Sequence, residues 1–137
     1  MPAHLSLFHT LPEDDSVRET LQQTAADTTA FPMRVESVRS LGRGVAFFLR
    51  SPEAAHMHRT LSAAFAEYLS PQDRQGFRPH VVVQNKTTGE HARKTLALLS
   101  GGFAPWVCGA VGLDLWRYLG GAWLHLERFA FRTDPAT

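Results

Sequence analysis

Two short segments, each headed by a histidine, stand 76 positions apart in this chain of 137 residues: His4-Leu5-Ser6-Leu7-Phe8-His9 and His80-Val81-Val82-Val83-Gln84. Each is rich in apolar residues, the pattern of a strand. Each is followed by helical spacing. Over 13–29, Val17, Leu21, Thr24, Ala25 and Thr28 fall on one stripe behind an acidic first turn, and a second helix is predicted over 89–99. Two strand-like runs then flank a glycine turn. Residues 33–41 and 45–50 flank Gly42-Arg43-Gly44, and 107–119 and 122–132 flank Gly120-Gly121. These turns are 78 positions apart. A strand-helix-strand-strand unit therefore recurs, bridged by a helix over 52–69 that Ser51 caps and Pro52 opens. Such a repeat points to one α+β domain over 1–137 with two lobes, about 1–50 and 80–132. Residues 70–79 read as a loop, and the tail 133–137 is expected to fray.

Composition narrows the function. The chain is 44% hydrophobic and 20% charged, ordinary for a globular domain with a real core. A net charge of +1 supplies no broad field for long nucleic acid, but a pocket for a short or terminal nucleotide needs only a few local charges. The single Cys108 rules out an internal disulfide and suits a reducing compartment. The opening Met1-Pro2-Ala3-His4 lacks the basic region and apolar core of a leader. The longest apolar stretch, 106–119, is broken by Asp114 and Arg117, so no membrane span is expected, and the expected location is cytoplasmic.

Strand alternation puts His4 and Ser6 on one face, and His80 and Val82 on one face. If the lobes pack about a pseudo-twofold axis, the two imidazoles face each other across a cleft. Imidazole titrates near neutrality, so one ring can take a proton while the other gives one. That pair suits in-line attack on a phosphodiester and needs no metal or cofactor. A hydroxyl two positions on can bind a non-bridging oxygen. By spacing alone, a histidine at the head of a strand is more often a half-exposed structural residue.

Wider stretches carry a family resemblance. Pro2-Ala3-His4-Leu5-Ser6-Leu7-Phe8-His9, followed by Leu11-Pro12, resembles the first signature of the 2'-5' RNA ligase family of two-histidine phosphoesterases. Arg78-Pro79-His80-Val81-Val82-Val83-Gln84-Asn85-Lys86 resembles the second. Asp73-Arg74-Gln75, Leu41-Gly42-Arg43-Gly44-Val45 and Leu115-Trp116-Arg117-Tyr118 are also similar to family members. The resemblance implies a bilobal fold whose antiparallel sheets line a central cleft, with helices outside. It implies action on a 2',3'-cyclic phosphate or a 2'-5' linkage of a small nucleotide or an RNA terminus. By the same resemblance His4 and His80 are catalytic and Ser6 binds phosphate. A binding module that holds such an end without cleaving it is the alternative.

Two departures stand out. The second signature normally has Thr or Ser where this chain has Val82, which cannot donate a hydrogen bond. The family usually places a strand and a helix before the first signature, so either the true start lies upstream or this is a shortened member whose first lobe has an unpaired edge or uncovered apolar face and compensates by self-association.

The remaining candidates each have a plain alternative. Phe8 and Gln84 share the cleft parity and either touch a base or ribose or, more commonly, pack. Arg43, Arg78 and Lys86 supply positive charge near a phosphate, or are ordinary turn and strand-end charges. Trp116 and Tyr118 could stack on a base, although large aromatics in a long strand usually belong to the core. His56 and His58 lie two apart on a helix and point to different sides, which disfavours a shared metal ion. His9 is expected at a strand end, and His91 and His125 as structural or surface residues. Cys108 in an apolar strand is expected to be inert.

Overall fold

Local capping chemistry sets the first helix. In the computed structural model, which describes residues 3–133, the Asp14 carboxylate accepts the Ser16 N–H at 2.9 Å and starts α1 (Asp15–Ala26). Its buried residues, Val17, Leu21 and Ala25, fall on the expected stripe. β1 (Phe31–Ser40) and β2 (Val45–Arg50) form the first hairpin, closed by the Leu41 N–H on the Gly44 carbonyl at 2.8 Å. Gly42 takes a φ of 86°, a backbone region that favours glycine. Ser51 caps α2 (Pro52–Ala64) by accepting the Ala54 N–H, and its hydroxyl donates to the Pro32 carbonyl. That helix stops short of position 69: Phe65 leaves the helical backbone as its C-cap, with its N–H on the Leu61 carbonyl and its ring buried in the core. β3 (His80–Gln84) and α3 (Gly89–Gly101) follow, then β4 (Trp106–Ala110), β5 (Gly112–Tyr118) and β6 (Trp123–Ala130). The tail beyond position 133 lies outside the described residues.

The strands form two antiparallel sheets, ordered β3-β2-β1-β4 and β5-β6. Strands of the second half thus complete the sheet begun by the first half's hairpin. The single long strand expected over 107–119 is broken at Val111, and its two parts join different sheets. Packing explains the break. Ala110 and Leu113 both face the main core, and a regular strand would put residues three apart on opposite faces. Gly112 allows the crossing, since a Cβ there would meet the Phe129 carbonyl oxygen at 2.9 Å. The core joins α1, α2 and the β5-β6 ribbon, with Leu61 and Phe65 between them and Phe31 stacked on Phe131 at 5.5 Å.

The strand expected over 4–9 is absent. Those residues run as an irregular strap whose Leu7 and Phe8 pack against the core. The His9 and Thr10 N–H groups are taken by the Asp73 carboxylate and are lost to any ladder. Among the described residues, no helix is long and apolar enough to cross a membrane.

Candidate active site

His80 is placed by a ladder. It pairs with Phe48 of β2, and the two rings stack at 5.4 Å between centroids and 23° between planes. The His80 Nδ1 lies 2.7 Å from the Arg78 carbonyl oxygen. A carbonyl only accepts, so the neutral ring carries its hydrogen on Nδ1 and keeps the Nε2 lone pair for proton transfer. The Arg39 guanidinium lies 4.8 Å from the Phe48 ring centroid and that of Arg78 lies 5.7 Å from it. One aromatic ring therefore gathers an imidazole and two cations. Register explains why: Ser37, Phe48 and His80 form one rung, and Arg39, Ala46 and Val82 the next. Val82 is 40% exposed on this face. The other face carries the buried Val35 and Leu49, and Phe47 packed on Phe103 and Trp106. Neither Arg39 nor Phe48 carries a sequence signal. Strand register alone brings them to His80.

The His4 strap is placed by side chains. His4 and Ser6 are exposed while Leu5 and Leu7 are half-buried, so the alternation of a strand survives without its ladder. Phe8 stacks on His58 at 4.9 Å and 14°, and His58 stacks on Phe77 at 4.3 Å and 6°. Phe8 also meets the edge of Phe65, so it is a packing residue and not a free cleft residue. Asp73 binds the strap with both oxygens. Oδ1 accepts the His9 N–H at 2.8 Å and lies 2.9 Å from His9 Nδ1, and Oδ2 accepts the Thr10 N–H at 3.0 Å. The strap bearing His4 is thereby joined to the loop that leads into β3 and His80.

Two titrating groups in this joint are shifted. Burial of Asp73 opposes ionisation, but the N–H groups of His9 and Thr10 and the His9 ring outweigh it and hold the carboxyl below its ordinary value. Burial pushes the His58 imidazole down, against a hydrogen bond it donates to the Leu7 backbone and the charge of Asp73, which favour its protonated form.

Several expectations change. A bulge at Val83 pairs Gln84 with the fully buried Val45, which takes Gln84 off the His80 face. Its Oε1 is buried without a hydrogen-bond partner among the described residues. Arg43 ties two loops together: its Nε donates to the Thr87 carbonyl at 3.1 Å, and its own carbonyl accepts the Thr87 N–H. Lys86 lies past β3 with a φ of 55°, its N–H on the Asn85 side chain. Trp116 and Tyr118 lie outside the main core cluster: half-buried Trp116 meets His125 edge-on, and exposed Tyr118 rests on Trp123. His125 is held by Asp114, which also binds Arg128 with both oxygens. His56 is exposed and His58 buried, on different sides of α2 as their spacing requires. Among the described residues, no three His, Cys, Asp or Glu side chains gather as a metal-ligand set.

The profile of the 2'-5' RNA ligase superfamily matches residues 1–122. No curated protein matches the chain. Among solved structures, the fold is similar to that of the crystal structure of TT0787 of Thermus thermophilus, with a TM-score of 0.67 and 16% identity. The match covers 98% of this chain and 82% of that one. At that identity the likeness bears on the fold alone.

Proposed function

This chain belongs to the 2'-5' RNA ligase superfamily, and from that premise we propose that it is a phosphoesterase using His4 and His80 as a paired acid and base. Its substrate is a small nucleotide or RNA terminus bearing a 2',3'-cyclic phosphate or a 2'-5' phosphodiester. One imidazole takes a proton from the attacking water or hydroxyl as the new P–O bond forms. The other gives a proton to the leaving sugar oxygen as the old P–O bond breaks. Both proton transfers are met by side chains, so the step calls on no metal. Ser6, on the exposed side of the strap with His4, supplies a hydroxyl to a non-bridging oxygen. Arg78, joined by Arg39, supplies positive charge beside His80. The lone Cys108 fits the reducing cytoplasm in which we place this activity.

The observation that carries the reading is the setting of His80. Its Nδ1–H is committed to a carbonyl, its ring is backed by Phe48, and two guanidinium groups lie around that same ring. The test is hydrolysis of a 2',3'-cyclic mononucleotide by the wild type, His4→Ala and His80→Ala. A bell-shaped pH profile that either substitution abolishes is the expected result. Wild-type turnover that survives both substitutions would sink the reading.

One observation favours a second reading. Val82 presents methyl groups on the His80 face, where a hydroxyl would hold phosphate. A chain so weakened would serve as a binding module for a nucleotide or RNA end. Tight binding of a 2'-phosphorylated nucleotide without turnover would select it.

A further inference from the structure

We propose that Asp73 is the positioning residue of this site, setting where the two histidines stand relative to each other; the inference rests on the two-histidine reading above. Asp73 is 5% exposed, yet its two oxygens accept two backbone N–H groups, and Oδ1 also lies within hydrogen-bond distance of the His9 imidazole. Its own N–H donates to the Ser70 hydroxyl at 3.2 Å, which fixes the carboxylate in its loop. Burying a charge is a poor route to stability, since apolar packing of similar volume serves as well or better. A buried carboxylate that spends itself on the N–H groups of a distant segment therefore points to placement.

What it places is specific. The contacts span 63 and 64 positions and link the strap to the loop before β3. His4 lies five residues before His9, and His80 lies seven after Asp73. A second joint connects the same two stretches. His58 of α2 is sandwiched between Phe8 of the strap and Phe77 of the loop, in nearly parallel planes. Two joints a few residues apart resist both sliding and rotation. The strap has no ladder to register it, unlike β3. This carboxylate and this ring stack therefore tie the strap to the loop that carries His80. An acid–base pair needs such control, because a misplacement of about 1 Å can cost on the order of a hundredfold in rate.

Asp73→Asn tests this with little change of shape. The amide keeps one acceptor oxygen, but its NH2 group meets an N–H donor and repels it. On a 2',3'-cyclic mononucleotide, kcat is expected to fall about tenfold to a hundredfold. KM is expected to stay within about twofold, since Asp73 is not placed against substrate. Hydrogen exchange at the His9 and Thr10 amides should quicken while that at Val17 and Leu21 does not. Asp73→Glu, which keeps the charge on a longer stem, should recover part of kcat. It also serves as the folded variant if the amide proves unstable. His9→Ala spares both backbone bonds and should lower kcat by only about threefold.

A kcat per folded molecule that is unchanged in Asp73→Asn overturns the inference. So does a rise in KM at constant kcat, which would make Asp73 a binding residue. A wild type without turnover fails at the level of the two-histidine reading itself. An active wild type beside a fully active Asp73→Asn fails only here.

Discussion

The two histidine segments of this chain share a sequence pattern and are held by opposite means. His80 sits on β3, registered by an antiparallel ladder against β2 at the edge of a four-stranded sheet. His4 sits on a strap registered by one carboxylate and a three-ring stack. Backbone pairing distributes position over many bonds, each weak and replaceable. Side-chain anchoring concentrates it in a few groups, each of which becomes critical. A repeated motif therefore does not imply a repeated means of support.

The largest effect should come from removing either histidine. His80→Ala and His4→Ala are each expected to lower kcat by about two to four orders of magnitude, the usual worth of a positioned acid or base. If the two act as one unit, the double variant should be little worse than either single one. Losses that multiply would show that the segments work independently, and the comparison would then be between two separate sites.

Next in size is a gain. Val82→Thr restores a hydroxyl on the rung beside His80, shared with Arg39 and Ala46. A charge-assisted hydrogen bond to phosphate is worth about 1.5–3 kcal/mol. If felt in the transition state, that raises kcat/KM about tenfold to a hundredfold. Ser6→Ala should cost a similar factor on the strap side. A Val82→Thr variant no faster than wild type would mean that phosphate is held elsewhere on this face.

Much of this contrast was hidden from sequence for physical reasons. The α1 stripe, the Ser51 cap, the Gly42 turn and the extents of β2 and β3 follow from neighbouring residues, and local chemistry decides them. The strap reads as a strand because His4-Leu5-Ser6-Leu7 alternates correctly. Alternation reports which side is buried, not whether a neighbouring backbone is present to pair with. Strict alternation puts Gln84 on the His80 face, but a one-residue bulge at Val83 reverses parity without leaving a mark in composition. The break at Val111 arises from core demands on both sides of it. Arg39 and Phe48 reach His80 only through register, which is set across the sheet. Asp73 figured in the sequence only through resemblance, and nothing near it names His9 as its partner.

The smallest predicted effect is a pH dependence confined to the strap. Both shifted groups act in the same direction. The His58 value is lowered by burial, so the released strap, with His58 exposed, binds a proton more readily than the docked one. As pH falls below the ordinary histidine value of about 6.5, docking weakens, and this loss levels off below the depressed value. Asp73 is also lowered, so its contribution is complete above the ordinary carboxylate value of about 3.9 and disappears as pH falls through the depressed one. Acid should therefore loosen the strap in two stages. Amide exchange at His9 and Thr10, followed against pH, should show the first stage while the β3 amides paired to β2 stay protected, because backbone hydrogen bonds hold that ladder. His58→Phe keeps a ring between Phe8 and Phe77 and removes the titration, so it should abolish the first stage and leave the second. If β3 loosens in step with the strap, or if His58→Phe changes nothing, then the two segments are not held by separate means and the contrast drawn between them does not stand.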